Sequence, residues 1–336
     1  MKNSLLFKKY IGKKILITGG LGFIGSNIAQ RLIELGAKVT IIDNLNPLYG
    51  GNLFNIDNIK NKVKVIIGDV RDQKLIEKNV INKDIIFDLA AQVSHADSKN
   101  MPFEDLDINC KAHLLLLETC RRKNDKVKIL FASSRLVLGK IMENPVTIYH
   151  PTNPLSLYGI HKLTTEKYFQ LYHNRYGIPT TILRLTNPYG ERQQIKHGKY
   201  SIPGWFLRLA MEKKSIKIFG DGKQLRDYIY VDDVVLAFLL TGITNKTNGK
   251  IYNCGLGKSI KFKKMAEFVV SIVGNGKIEY VPWPKNYAKE ETGSFETDIS
   301  ELKKDTGWKP KIELKEGIRK MFKYYKLHSK KYVSNK

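Results

Sequence analysis

The chain has 336 residues, 42% of them hydrophobic and 26% charged, which suits about two domains with buried cores and excludes wholesale disorder. No apolar run reaches the ~18 residues of a membrane span, and three scattered cysteines (Cys110, Cys120, Cys254) offer neither a disulfide framework nor a zinc motif. The net charge of +25 is spread along the chain without stacking aromatics or a groove-reading motif, so no nucleic-acid partner is expected; a positive field that collects an anionic small molecule is the better reading.

Leu5, Leu6 and Phe7 give way at once to Lys8 and Lys9, unlike a secretory signal. No two histidines lie within five residues of each other, so a helical two-His metal site is not expected and no metal is assigned. These features predict a soluble, cytoplasmic protein of a reduced compartment.

Lys14–Thr18 (KILIT) predicts a buried strand, then a glycine turn and a helix from about Phe23 to Leu35, ended by Gly36. Strands follow at Lys38–Ile42, Val63–Ile67 and Asp84–Leu89. A long helix near Leu106–Arg122 leads to a fifth strand, Val127–Ala132, and a helix from about Ser156 to Tyr176 leads to strand Thr180–Leu185. Strand and helix alternating in this way predict an α/β fold with a doubly wound parallel sheet. After Asn187, proline, glycine and lysine punctuate shorter pieces, as in Pro188–Gly190, Gly220–Gly222 and Pro282–Pro284, which reads as a smaller mixed α/β domain. From Leu314, the spacing of Ile318, Met321, Phe322 and Tyr325 predicts a docking helix; its outer face is basic, with eight Lys/Arg against one Glu from Lys315 to Lys336.

Gly19, Gly22 and Gly25, in the run Thr18-Gly-Gly-Leu-Gly-Phe-Ile-Gly25, fall between the first strand and the first helix. Such a turn brings backbone N–H groups against a pyrophosphate at the helix N-terminus, which makes Phe23 and Ile24 cofactor-binding candidates too. An ordinary βαβ turn is the plain alternative. Asp43 ends the second strand, 18 residues after Gly25, where an acid takes the adenosine ribose 2′-OH. Asn44 beside it, with no arginine, favours NAD over NADP. Asp69 and Val70 follow the third strand, where they meet the adenine.

The spacing Gly19-x-x-Gly22-x-x-Gly25 resembles the extended short-chain dehydrogenase/reductase family, the nucleotide-sugar epimerases and dehydratases, over about Lys14 to Tyr325. Within that family it resembles the UDP-glucose 4-epimerase-like enzymes. That family needs a catalytic Tyr-x-x-x-Lys, and Tyr158-Gly-Ile-His-Lys162 supplies one. Tyr10/Lys14 and Tyr332/Lys336 match the same pattern. Tyr158 stands out because it begins a predicted helix after the fifth strand, and that strand runs into Ser133-Ser-Arg-Leu-Val-Leu-Gly139, similar to the family's SSxxVYG.

The resemblance implies a Rossmann-type NAD-binding domain over 1–187 with a returning segment near 226–256, and a nucleotide-sugar-binding domain over 188–336. It makes Tyr158 the base, Lys162 the cation one helical turn away that lowers the tyrosine's pKa and holds the nicotinamide ribose, and Ser134 the partner of the reacting hydroxyl, with Ser133 as the competing choice. It places Leu89, Ala90 and Ala91 along the cofactor and Asn109 behind the active-site backbone. Asn187 would reach the substrate's phosphate–sugar portion, and Arg226 would bind the diphosphate as a fork of donors. The substrate implied is a nucleotide-diphosphate sugar. A homodimer through the stretches near Leu106–Arg122 and Ser156–Tyr176 is implied as well.

Several departures narrow the activity. The family's 4,6-dehydratases follow the hydroxyl residue with an acid–base pair, and here Arg135 and Leu136 stand there, which disfavours elimination and decarboxylation. Leu138 replaces the usual tyrosine of VYG and should remove a hydroxyl near the pocket. Asp88 stands where a histidine is frequent, and His161 where serine or threonine is. Residues 289–295 lack the arginine many relatives place against the diphosphate, leaving Lys289 as a substitute. What remains is epimerisation, foremost at C4 through a 4-keto sugar. Net C4 oxidation or reduction is the alternative, followed by 2-epimerisation, 4,6-dehydration and a non-catalytic NAD sensor.

Overall fold

A computed structural model describes residues 7–284 and 291–333. Leu5 and Leu6, on which the signal-sequence reading rests, lie outside these. The strands in chain order are β1 (Lys14–Thr18), β2 (Lys38–Asp43), β3 (Lys64–Ile67), β4 (Ile85–Asp88), β5 (Lys128–Ser134), β6 (Thr180–Leu185), β7 (Asn187–Tyr189), β8 (Ser215–Phe219), β9 (Leu225–Tyr230), β10 (Lys250–Cys254), β11 (Ser259–Lys261) and β12 (Lys277–Val281). Seven of them form one sheet in the order β10-β6-β5-β4-β1-β2-β3, with every neighbouring pair parallel.

The near-continuous apolar strands explain this architecture. Ile15 and Ile17 of β1 pack to one side with Ile41, Phe87 and Leu130, while Leu16 packs to the other with Ile42, Ile86 and Phe131. A sheet apolar on both faces must be covered on both. Helices α1 (Phe23–Glu34) and α7 (Val231–Gly242) bury residues into the first cluster. Helices α2 (Gln73–Val80), α4 (Ala112–Lys123) and α5 (Leu157–Tyr176) bury theirs into the second. Strand order reverses between β1 and β4, and open α/β sheets bind ligands at the carboxyl ends of the strands beside such a point.

Two elements depart from the expected pattern. The helix expected near Leu106–Arg122 begins at Pro102: α3 (Pro102–Leu106) passes through a π-turn, Asp107–Lys111, into α4. Helix α2 was not among the expected elements, although Asp72 caps it by accepting from the Leu75 N–H and Ile76 and Val80 fall on one face.

In the second half β7 pairs with β9 and β9 with β11, while β8 pairs with β12. Helix α6 (Ile202–Met211) and helix α8 (Phe262–Val273) pack beside them. After α9 (Ser300–Thr306), α10 (Leu314–His328) buries Ile318, Met321 and Tyr325 as the spacing implies, with Phe322 half-buried. The final turn, α11 (Lys330–Val333), ends the described chain. Its Tyr332 hydroxyl donates to Asn55, whose amide donates to the Leu21 carbonyl, so the tail braces the glycine turn from behind. Among the described residues no helix is long and apolar enough to cross a membrane.

Candidate active site

The glycine turn is closed by its own backbone. Gly19 adopts φ +68°, donates to the Ile42 carbonyl at 2.9 Å, and a Cβ there would lie 2.9 Å from Ala90 N. A Cβ on Gly25 would lie 2.3 Å from the Gly19 carbonyl oxygen. Gly22 is the N-cap of α1, so Phe23 and Ile24 open the helix toward the cavity they line. Thr18 holds the facing loop: its hydroxyl accepts from the N–H groups of Leu89 (3.0 Å) and Ala90 (3.2 Å) and donates to Asp88. This cradle opens into a cavity of about 750 Å³ that runs past Ala91 to residues of the second half of the chain.

Asp43 lies in this cavity at the end of β2, with both carboxylate oxygens already engaged by backbone: Leu21 N–H at 2.9 Å and Leu45 N–H at 2.8 Å. Burial pushes its pKa up and these donors partly offset the push. Asn44 turns away from Asp43 and donates to Asp69 at 3.2 Å. Asp69 is also gripped by Arg71 through two nitrogens, which holds its carboxyl down to about 2. Val70 completes that rim. A glycine turn too tight for a Cβ at Gly19 or Gly25, facing an acid at the end of β2, fits a dinucleotide.

Tyr158, Lys162 and Ser134 come together on the cavity wall. Ser156 caps α5 by accepting from the Gly159 N–H, which starts the helix just before Tyr158 and sets Lys162 one turn on. The structure distinguishes the two serines. Ser133 donates to buried Glu166 at 2.6 Å, whereas the Ser134 hydroxyl accepts from the Leu136 N–H and lies near enough to the Tyr158 phenol to oppose the rise in its pKa.

The expectation that Lys162 lowers the tyrosine's pKa is not met by the groups that act on Tyr158 in this geometry. Burial pushes the Tyr158 pKa up, Asp105 adds to the rise, and only Ser134 opposes it. The Lys162 ammonium points elsewhere, to the Ala132 carbonyl at 3.2 Å and over the Phe131 ring, and lies 6.0 Å from the tyrosine ring centroid. Its own pKa falls to about 8 through burial, with Asp88, Asp105 and Glu166 pulling the other way.

The supporting groups are ordered as pairs. His161 bonds Asp105 at 2.5 Å and is not on the cavity wall. Asn109 donates to the same carboxylate and to the Gln92 carbonyl beyond β4. Asp88 pairs with buried His113 at 2.6 Å. Leu138 is also corrected: it is buried with Val137, Val146 and Phe295, away from the cavity wall, so its exchange for tyrosine alters a small core.

In the second half of the chain, Asn187 lines the cavity and donates to the Asp227 carbonyl at 2.7 Å. Arg226 also lines it, but its guanidinium is already held by the carbonyls of Leu225 and Gly293 and by Glu291 at 2.5 Å. Lys289 and Glu290 lie outside the described residues. Four of the wall residues not singled out as binding groups are Arg135, Tyr228 and the aromatic pair Phe219–Trp283, with ring centroids 5.8 Å apart. Arg135 was legible as a departure after Ser134, and Tyr228 as part of the stretch that follows Arg226; Phe219 and Trp283 carry no sequence signal of their own.

Residues 16–321 match the family described as GDP-mannose 4,6 dehydratase. The chain belongs to this family, within the extended short-chain dehydrogenases/reductases. A fellow sequence from Methanocaldococcus jannaschii, provisionally named a UDP-glucose 4-epimerase, is 38% identical over 317 residues, 93% of this chain and 98% of its own. UDP-glucose 4-epimerase of Thermotoga maritima, solved with UDP-glucose, is similar with a TM-score of 0.86 at 30% identity, covering 94% of this chain and 99% of its own. UDP-glucose 4-epimerase of Thermus thermophilus, solved with NAD, has a TM-score of 0.83 at 28% identity over 93% and 99% of the two chains.

Proposed function

We propose that this family member is an NAD-dependent epimerase of a nucleotide-diphosphate sugar, acting at C4 through a 4-keto intermediate. The observation that carries the reading is the trio of Ser134, Tyr158 and Lys162 on one cavity wall, without the carboxyl pair after Ser134 that elimination needs. The cradle of Gly19, Gly22, Phe23, Ile24 and Gly25 takes the pyrophosphate of NAD, Asp43 the adenosine ribose, and Asn44, Asp69 and Val70 the adenine side, while Leu89, Ala90 and Ala91 run along the dinucleotide. Bound there, NAD supplies the hydride acceptor and donor.

The chain's own residues do the proton work. Tyr158 receives the proton of the sugar hydroxyl, and Ser134 holds that hydroxyl in line. Lys162, with a pKa of about 8, is mostly charged at neutral pH, and turning from the Ala132 carbonyl toward Tyr158 would let it favour the phenolate that then takes the proton. Asn187 and Arg226 hold the phosphate end, so binding energy stays on the part of the substrate that does not turn. The apolar side chains Phe103, Ile160 and Leu171, exposed on α3 and α5, support a homodimer through these helices.

Two measurements test the reading. Freshly purified protein is denatured and the released NAD+ and NADH are counted against protein. The same protein is incubated with UDP-glucose and UDP-N-acetylglucosamine without added cofactor, and products are resolved by NMR. Near-stoichiometric retained cofactor and a 4-epimer are expected. An empty site and stoichiometric consumption of added NAD would replace epimerisation by net oxidation or reduction.

A further inference from the structure

The cavity holds a second guanidinium that the proposed function leaves without a role. Arg226 approaches the stretch Glu291–Gly293 from β9, with Nη1 on the Gly293 carbonyl at 2.9 Å and Nη2 on Glu291. Arg135 approaches the same stretch from the end of β5, with Nη1 donating to the Thr292 hydroxyl at 2.9 Å and its guanidinium 5.4 Å over the Phe295 ring. Residues 282–296 contain no arginine, so any guanidinium at this wall comes from elsewhere in the chain.

A third group marks the spot. Tyr228, on the cavity wall, has a buried hydroxyl with no hydrogen-bond partner. Both Arg226 and Arg135 lie close enough to act on it electrostatically, opposing the rise that burial imposes on its pKa. Buried hydroxyls in native proteins nearly always find a partner. The Tyr228 O–H lacks an acceptor and the two guanidiniums beside it are held by groups that could yield, and an oxyanion bearing several oxygens is the acceptor that would fit all three.

We propose that Arg135 is a substrate-binding residue that clamps the diphosphate of the nucleotide sugar together with Arg226 and Tyr228. This deepens the proposed function and rests on it. The grip has a geometric consequence. Arg135 directly follows Ser134, so one strand end would hold both the reacting hydroxyl and the phosphates. Glu291 is the group that must yield, since its carboxylate sits where a phosphate oxygen would meet Arg226.

The test uses the holoenzyme and calorimetric titration with UDP, dTDP, CDP and GDP, each beside its monophosphate and its nucleoside. For the nucleotide that binds, Arg135→Met should weaken the diphosphate roughly 10- to 100-fold and the monophosphate clearly less, with Arg135→Lys recovering part of the loss. Tyr228→Phe should weaken the diphosphate in the same direction by a smaller factor. Unchanged diphosphate affinity in Arg135→Met would overturn the clamp. So would a loss shared equally by nucleoside, mono- and diphosphate, which would mark a packing role against Phe295. A loss seen only with UDP-glucose or UDP-glucuronate, and not with UDP, would move Arg135 to the sugar and likewise overturn it. If the wild-type protein binds none of the four diphosphates, the nucleotide-sugar reading itself falls; binding that survives in Arg135→Met sinks the clamp alone.

Discussion

Ser133 and Glu166 share a 2.6 Å hydrogen bond sealed from solvent, and Arg184 holds the same carboxylate through Nε and Nη2. That triad consumes the first serine of the pair and leaves Ser134 as the hydroxyl available to a substrate. The two serines should therefore fail differently. Ser134→Ala should lower kcat about 100-fold or more with little change in melting temperature. Ser133→Ala strips a partner from a buried carboxylate and should cost about 1–3 kcal/mol of stability while most activity survives. Urea denaturation and steady-state kinetics on both variants decide; the reverse pattern would make Ser133 the catalytic hydroxyl.

Tyr158→Phe removes only a hydroxyl. We expect kcat to fall about 100- to 10,000-fold while NAD retention stays at the wild-type level. Unaltered activity in the producing cell, with NAD still bound, would instead point to a sensor.

Lys162 links the site to stability with a definite sign. It is 2% exposed, and burial lowers its pKa from 10.5 to about 8. Between those values the unfolded chain binds a proton that the folded chain does not, so stability falls as pH drops through this window and the deficit is complete below about 8. The deficit is about 3 kcal/mol. Asp88, Asp105 and Glu166 keep His113, His161 and Arg184 as partners when the lysine is gone. Lys162→Met should therefore melt several degrees higher than wild type near pH 7 when cofactor-free, and the gain should shrink toward pH 10.5. A variant less stable at every pH would refute the argument.

Asp43 braces the glycine turn as well as facing the cavity. Asp43→Asn replaces an acceptor of two backbone N–H groups by an amide that can serve only one of them well. NADH affinity should drop about 10-fold or more with a lower melting temperature, read by fluorescence titration and calorimetry. NADP should bind poorly to wild type, since a 2′-phosphate would meet the Asp43 carboxylate.

The dimer proposal turns on the exposed apolar face of α3 and α5. Phe103 is 79% and Leu171 53% exposed in the single chain. Phe103→Asp with Leu171→Arg should convert a dimer to a folded monomer in sedimentation velocity. A dimer unaffected by the pair would place the interface elsewhere.

Much of this molecule is carried by short-range pattern. The apolar runs of β1 to β6, the three glycines, and Tyr158 and Lys162 one helical turn apart express contacts between residues close in sequence, and backbone geometry alone relates them. Helix α2 escaped although its Asp72 cap and apolar spacing were there to read. The π-turn at Asp107–Lys111 had no local signal: Asn109 and Asp105 are held there by Gln92 and His161, from other elements.

The sequence by itself thus determined the fold class and singled out the glycine turn and the Tyr158–Lys162 pair that the fold then brings to one cavity. Only the tertiary structure decided which serine is free, that burial raises the Tyr158 pKa, and that Arg135 and Arg226 converge on one wall. Those outcomes depend on desolvation and on which distant elements meet, and both exist only once the chain has packed.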